Sequence, residues 1–139
     1  MGLVDAEIQI TNGDDLALVR RGLLEPVKVR SMKVKTNADG GAYMLCLNER
    51  VREQLGLPVI EQRVAVLADG SQHRLDVVGP VEVRFQNRRC SVDAMVLPGE
   101  AEILLGAIPM EDMDLVILPR LQQLVVNPEH PILPVVPVR

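Results

Sequence analysis

The sequence predicts a single all-β domain, and three observations carry that expectation. The chain has 139 residues, the size of one domain. Apolar residues make up 47% of it, yet Trp is absent and Tyr and Phe occur once each. The core must therefore be aliphatic, and branched Val and Ile pack well on a pleated surface. Ten Gly and ten Pro cut the chain into short pieces. Short apolar alternations between frequent turns are the pattern of a barrel or a sandwich.

The elements follow in order. Val4, Ala6, Ile8 and Ile10 alternate with Asp5, Glu7 and Gln9, which predicts a half-buried strand. Thr11-Asn12-Gly13-Asp14 reads as a turn. Val27 and Val29 alternate with Lys28 and Arg30, and the phase then flips to Met32 and Val34. A flip of this kind predicts a bulge or bend within a strand. Residues 36–42 form a polar, glycine-rich loop, followed by the apolar run 43–47. One short helix is expected at residues 48–56: Asn48 is a good N-cap, Val51 and Leu55 share a face, and Gly56 can close the end.

Residues 64–67 and 75–78 flank Ala68-Asp69-Gly70-Ser71, and Asp-Gly between apolar runs signals a hairpin. Val81, Val83 and Phe85 predict a strand that turns at residues 86–89, with Cys90, Val92, Ala94 and Val96 on the return. Ile103-Leu104-Leu105-Gly106 is a buried apolar run, residues 110–113 suit one helical turn, and 115–118 and 124–126 suit the last strands. The domain is expected to span residues 1–127. Residues 128–139 form a proline-rich tail, with Pro128, Pro131, Pro134 and Pro137 at every third position. Polyproline II has three residues per turn, so an extended tail would present these prolines on one face.

Charge and composition exclude several classes. The net charge is −4 and the pI about 5.2. Without a basic stripe or aromatics for stacking, nucleic acid is not an expected partner. Cys46 and Cys90 form no CxxC, and His73 and His130 lack ligand spacing, so neither a metal nor another cofactor is expected. Both thiols read as small buried hydrophobes of a reducing compartment. No signal peptide is evident and no apolar run approaches the ~18 residues of a membrane span. The expectation is a cytoplasmic protein with no membrane partner. Glu100, Glu102, Glu111, Asp112 and Asp114 read as a solvated acidic face.

Asp39-Gly40-Gly41-Ala42, the strand and helix of residues 43–57, Leu67-Ala68-Asp69-Gly70 and Leu104-Leu105-Gly106-Ala107 occur in a telling order. On these segments, across roughly residues 4–130, the chain resembles the retropepsin-like (clan AA) aspartic proteases, in particular their small single-domain prokaryotic members. The resemblance implies a closed β-barrel of the acid-protease type, single-lobed, with one short helix. It implies an aspartic endopeptidase with Asp39 as the catalytic carboxylate. Such chemistry needs two carboxylates sharing one proton, so a chain with one motif must work as a homodimer, its partner a second copy of itself. The substrate would be a peptide or protein held as an extended strand. Gly41, Ala42, Ala68, Asp69, Gly70 and Ser71 would contact it, the last four as a flap tip. Gly40, Leu104, Leu105 and Gly106 would support the active-site loop. Three departures stand out: Gly40 replaces the family's Thr, Asn37-Ala38 replaces its usual apolar pair, and Leu118-Pro119 stands where related sequences often have Asp-Pro. A retropepsin-like module that binds peptide or dimerises without cleaving, and a structural β domain whose tail docks a partner, are the alternatives.

Overall fold

The computed structural model describes residues 4–138. The period-two pattern near the start becomes strand β1 (Asp5–Asn12), which buries Ile8 and Ile10. The expected turn at residues 11–14 is instead the start of a helix, α1 (Gly13–Arg20). Asn12 is its N-cap, with its side-chain oxygen accepting from Asp15 N at 3.1 Å. The apolar residues 16–19 run consecutively, so no helical stripe marks α1 in the sequence.

Val27 and Val29 belong to no strand. Pro26 opens a 3-10 turn (Pro26–Lys28), and Val27 is exposed. The phase flip therefore marks the entry to strand β2 (Ser31–Ala38), not a bulge within it. Strand β3 (Leu45–Asn48) leads directly into helix α2 (Glu49–Leu55). Here sequence and structure agree. Asn48 caps Val51 N at 3.0 Å, Val51 and Leu55 are buried, and Gly56 closes the helix with φ 64°.

The expected hairpin is built from β4 (Val59–Val66) and β5 (Gln72–Phe85). β5 is one long strand, not two, and its pairing with the next strand, β6 (Arg88–Leu97), shifts register at Gly79 and Pro80. After the two-residue strand β7 (Leu104–Leu105) come a third helix, α3 (Ala107–Asp112), and the hairpin of β8 (Leu115–Leu118) and β9 (Gln123–Val126). The described residues thus hold three short α-helices: α2 was expected, α3 begins three residues before the single turn expected at 110–113, and α1 was not expected. The chain remains mainly β.

Seven strands form one mixed sheet in the order β1-β2-β7-β3-β6-β5-β4. β1 also pairs with β5, so six of the strands close into a ring and β4 is left outside it as an edge. The aliphatic core fills the ring with Ile8, Ile10, Leu45, Leu47, Val78, Val81, Val83, Ala94 and Leu105. No helix among the described residues is long and apolar enough to cross a membrane.

Two polar nodes stitch the outside. Asp15 is buried and receives Arg30 through the backbone N–H and two guanidinium nitrogens, at 2.9–3.0 Å. The same guanidinium lies where a Cβ on Gly56 would sit. The second node is Asp114, which does not lie on a solvated face as expected. Its carboxylate accepts from Val135 N (3.0 Å), Asn127 Nδ2 (3.0 Å) and His130 Nδ1 (2.7 Å). Arg88 is buried and reaches the carbonyls of Met113 and His130. Residues beyond Pro128 are therefore tied to the body through residue 135.

Hydrogen bonds to the ionised form, led by Val135 N, lower the Asp114 carboxyl to about 2, and the Arg30 hydrogen bond lowers that of Asp15. A carboxyl depressed in the folded state contributes stability that is present above its unfolded value, near 3.8, and is lost as pH falls through the folded value. Thermal melts should therefore show Tm falling from pH 4 towards pH 2. Asp114→Asn should lower Tm at pH 6 and flatten that acid dependence; an unchanged acid limb would show that Asp114 is not its source.

Candidate active site

The Asp39 loop hangs between two strands that are distant in sequence. β2 and β7 run parallel, with Asn37 opposite Leu104 and Ala38 opposite Leu105. Asp39 N donates to Leu105 O at 3.0 Å, and Asn37 N donates to Ile103 O at 2.9 Å. On the far side, Ala107 N and Ile108 N donate to Ala42 O and Tyr43 O, at 2.8 and 3.0 Å. Ala42 N closes the turn on Asp39 O. The Asp39 side chain is held from within the loop, its Oδ1 accepting from Gly41 N at 2.9 Å. The loop is thus fixed at both ends by backbone hydrogen bonds, each worth about 1 kcal/mol.

Gly106 is required at this point. A Cβ there would collide with the carbonyl oxygen of Met44 and stand 2.8 Å from that of Ala42. Gly40 is the opposite case. It lies exposed at the loop apex, and a Cβ on it would meet nothing within 4 Å.

A cleft of about 520 Å³ opens between this loop and β4. Asp39, Gly41, Ala42 and Leu104 line one side, and residues 63–68 line the other. Asp39 is the one carboxylate and Arg63 the one cation among the described lining residues. The remaining lining is apolar, with Tyr43, Met44, Met95 and Leu97 prominent.

The structure brings together only part of the expected site. Asp39, Gly41, Ala42, Ala68 and Leu104 share the cleft. Leu105 is buried behind the loop, and Gly106 braces it. Asp69, Gly70 and Ser71 do not line the cleft. They form the exposed turn beyond it, where Asp69 Oδ1 accepts from Ser71 N and Oγ at 2.8 and 2.5 Å, and Gly70 has φ 85°. Ser71 Oγ also lies 2.9 Å from His73 Nε2.

Sequence reasoning missed Arg63, Met44, Met95 and Leu97. Met44 and Cys46 share one face of an extended run, which period two could have shown. That Met95 lies opposite Cys46 depends on the β3–β6 register. Burial, with a smaller contribution from Asp39, pushes the Cys46 thiol up to about 11, and burial pushes Cys90 to about 12. Both thiols stay protonated at neutral pH, so Asp39 and not Cys46 is the candidate reactive group of the cleft.

Comparison with protein-family models and with curated proteins returned no match.

Gly106→Ala should destabilise the fold by about 3 kcal/mol or more, because backbone must move to admit the methyl. Gly40→Ala should leave the unfolding midpoint in urea unchanged or slightly raised. Equal effects of the two substitutions would show that the loop is not braced at Gly106.

Proposed function

We propose that the chain is an aspartic endopeptidase of the retropepsin-like type, working as a homodimer with one Asp39 from each copy. One observation carries this reading. A carboxylate sits on a loop suspended by backbone hydrogen bonds, on the wall of an apolar cleft faced by a β-hairpin. A lone carboxylate cannot both activate water and protonate a carbonyl. The described cleft residues offer no second one, so a second copy supplies it.

The chemistry then follows. One ionised Asp39 takes a proton from water as the water oxygen adds to the scissile carbonyl carbon. The protonated Asp39 of the second copy gives its proton to the carbonyl oxygen. Collapse of the tetrahedral species breaks the C–N bond and sends a proton to the departing nitrogen. A dyad of this kind works with one proton shared between its two carboxylates, so activity should lie on the acid side of neutrality. A peptide bound across the apolar lining would exclude bulk water from the reacting groups, which strengthens these interactions. The strand β4 would lie along an extended substrate.

Gly40 favours a second reading, a peptide-binding module that has lost cleavage. The family's threonine hydroxyl would brace the two loops across the dimer axis, and glycine cannot. Two lost hydrogen bonds and the added backbone freedom of two glycines weaken the dimer by about 3–4 kcal/mol, or a few hundredfold.

Incubation of the protein at high concentration with a mixed peptide library, from pH 4 to 7, should yield new cleavage sites by mass spectrometry. Asp39→Asn should abolish all of them. Cleavage that survives in Asp39→Asn, or binding without cleavage at any pH, would sink the protease reading, the latter in favour of the module.

The open space at Gly40 allows a direct test of the dimer. Gly40→Thr should tighten self-association a few hundredfold in sedimentation experiments and raise cleavage at low protein concentration. A variant that folds but associates no better would show that this loop is not at the dimer axis.

A further inference from the structure

β4 is the one strand of the large sheet that lies outside the ring, and among the described residues it pairs with β5 alone. A free strand edge presents unpaired N–H and C=O groups and is a template for another strand. Natural edges are usually blunted by short length, proline, charged side chains or bulges that twist them away, and of these β4 has the charges of Glu61 and Arg63. β4 is eight residues long and contains no proline. Val59, Ile60, Val64 and Val66 are all more than half exposed on it. Its one irregularity in pairing lies near the start, between Val59 and Glu61.

The charges on this edge are arranged in a way that selects a partner. The sequence from 59 to 66 is Val-Ile-Glu-Gln-Arg-Val-Ala-Val. Antiparallel pairing of β4 with β4 of a second copy must place residues of the same parity opposite each other, because backbone groups point outward on alternate residues. Registers centred on Gln62 or Arg63 pair seven residues of β4 from each copy, and those centred elsewhere pair five or fewer. Centred on Glu61, the pairing opposes two glutamates. Centred on Arg63, it opposes two arginines. Centred on Gln62, it sets Glu61 opposite Arg63 on both sides of the axis, Ile60 opposite Val64, and Val59 opposite Ala65. Opposite charges and matched branched side chains across strands are each favourable, and like charges directly opposite are not. A self-complementary patch about a two-fold axis is what an isologous interface requires.

We propose that β4 is a homotypic docking edge. Two copies join antiparallel along it with Gln62 on the two-fold axis, and Glu61 of each chain meets Arg63 of the other. In the single chain these two side chains already pair with each other, Arg63 Nε donating to Glu61 Oε2 at 3.1 Å. Docking exchanges the two exposed pairs, one in each copy, for two pairs across the axis. The inference does not rest on the protease reading. The dyad would use the Asp39 loop, but an extended substrate would pair with this same outer edge of β4, so docking of a second copy here and binding of such a peptide exclude one another.

The test is site-directed disulfide trapping, for which both native thiols are buried and do not compete. Gln62→Cys should form an intermolecular disulfide quickly under mild oxidation. Val64→Cys alone should not, but mixed with Ile60→Cys it should give the heterodimer. Arg63→Glu in the Gln62→Cys background should slow trapping at least tenfold, and adding Glu61→Arg should restore it. Circular dichroism checks that each variant is folded; all these side chains are exposed. Trapping of Gln62→Cys no faster than that of a cysteine placed at Lys33, on another exposed surface, would overturn the proposal. So would equal trapping at residues 60, 62 and 64 singly, which marks random collision, or failure of the charge exchange to restore the rate. Loss of cleavage in Asp39→Asn bears on the protease reading alone and leaves this outcome unaffected.

Discussion

The architecture depends on two residues of extended chain. Leu104 and Leu105 lie between β2 and β3, parallel to one and antiparallel to the other. Without them β2 and β3 have no common neighbour, and the ring opens at that point. The two peptide units also hold the Asp39 loop, through Leu105 O on one side and the turn after Gly106 on the other. A strand this short gains little from its own hydrogen bonds. Its position is fixed by burial of Leu105 in the core and by the clash that any side chain at residue 106 would cause. Closure of the fold and placement of the carboxylate are therefore one constraint, not two.

Buried polar groups impose a second set of constraints. Glu82 is buried and receives Arg84 and Arg89 at 2.9 and 3.0 Å. Arg88, its side chain fully enclosed, faces the carbonyls of Met113 and His130, with the Asp114 carboxylate at 3.8 Å. Among the described residues its Nε has no hydrogen-bond partner, and an unmade hydrogen bond there costs about 1–3 kcal/mol. A buried cation of this kind is weak as a source of stability but demanding in geometry. It fixes the β5–β6 turn against α3 and the tail, and so sets where residues 128–135 run.

The strands and the α2 helix were legible because their signals are local. Alternation at residues 4–10, the Asn48 cap and the Asp69-Gly70 turn each act over a few residues. α1 was not legible, since it is held by Asn12, Asp15 and Arg30 and not by an apolar stripe. The Val27–Val29 strand failed because Pro26 bends the chain into a 3-10 turn, a local signal that alternation outweighed. In the site, Asp39, Gly106 and the two leucines could be found from their motifs. Arg63, Met95 and Leu97 could not, because they reach the cleft through strand register, which depends on pairing partners far along the chain. The Asp69-Gly70 signal specifies the hairpin turn but not how far the hairpin reaches, so residues 69–71, expected at the cleft, lie beyond it.

The aliphatic core has an optical corollary. With no Trp and a single Tyr in the chain, near-ultraviolet emission arises almost wholly from Tyr43, which is exposed on the rim of the cleft beside the Asp39 loop. Its fluorescence therefore reports events at the cleft with little background from the interior, and is a poor gauge of whether the interior is packed. The molecule carries its own label at the one place where an occupant would be seen.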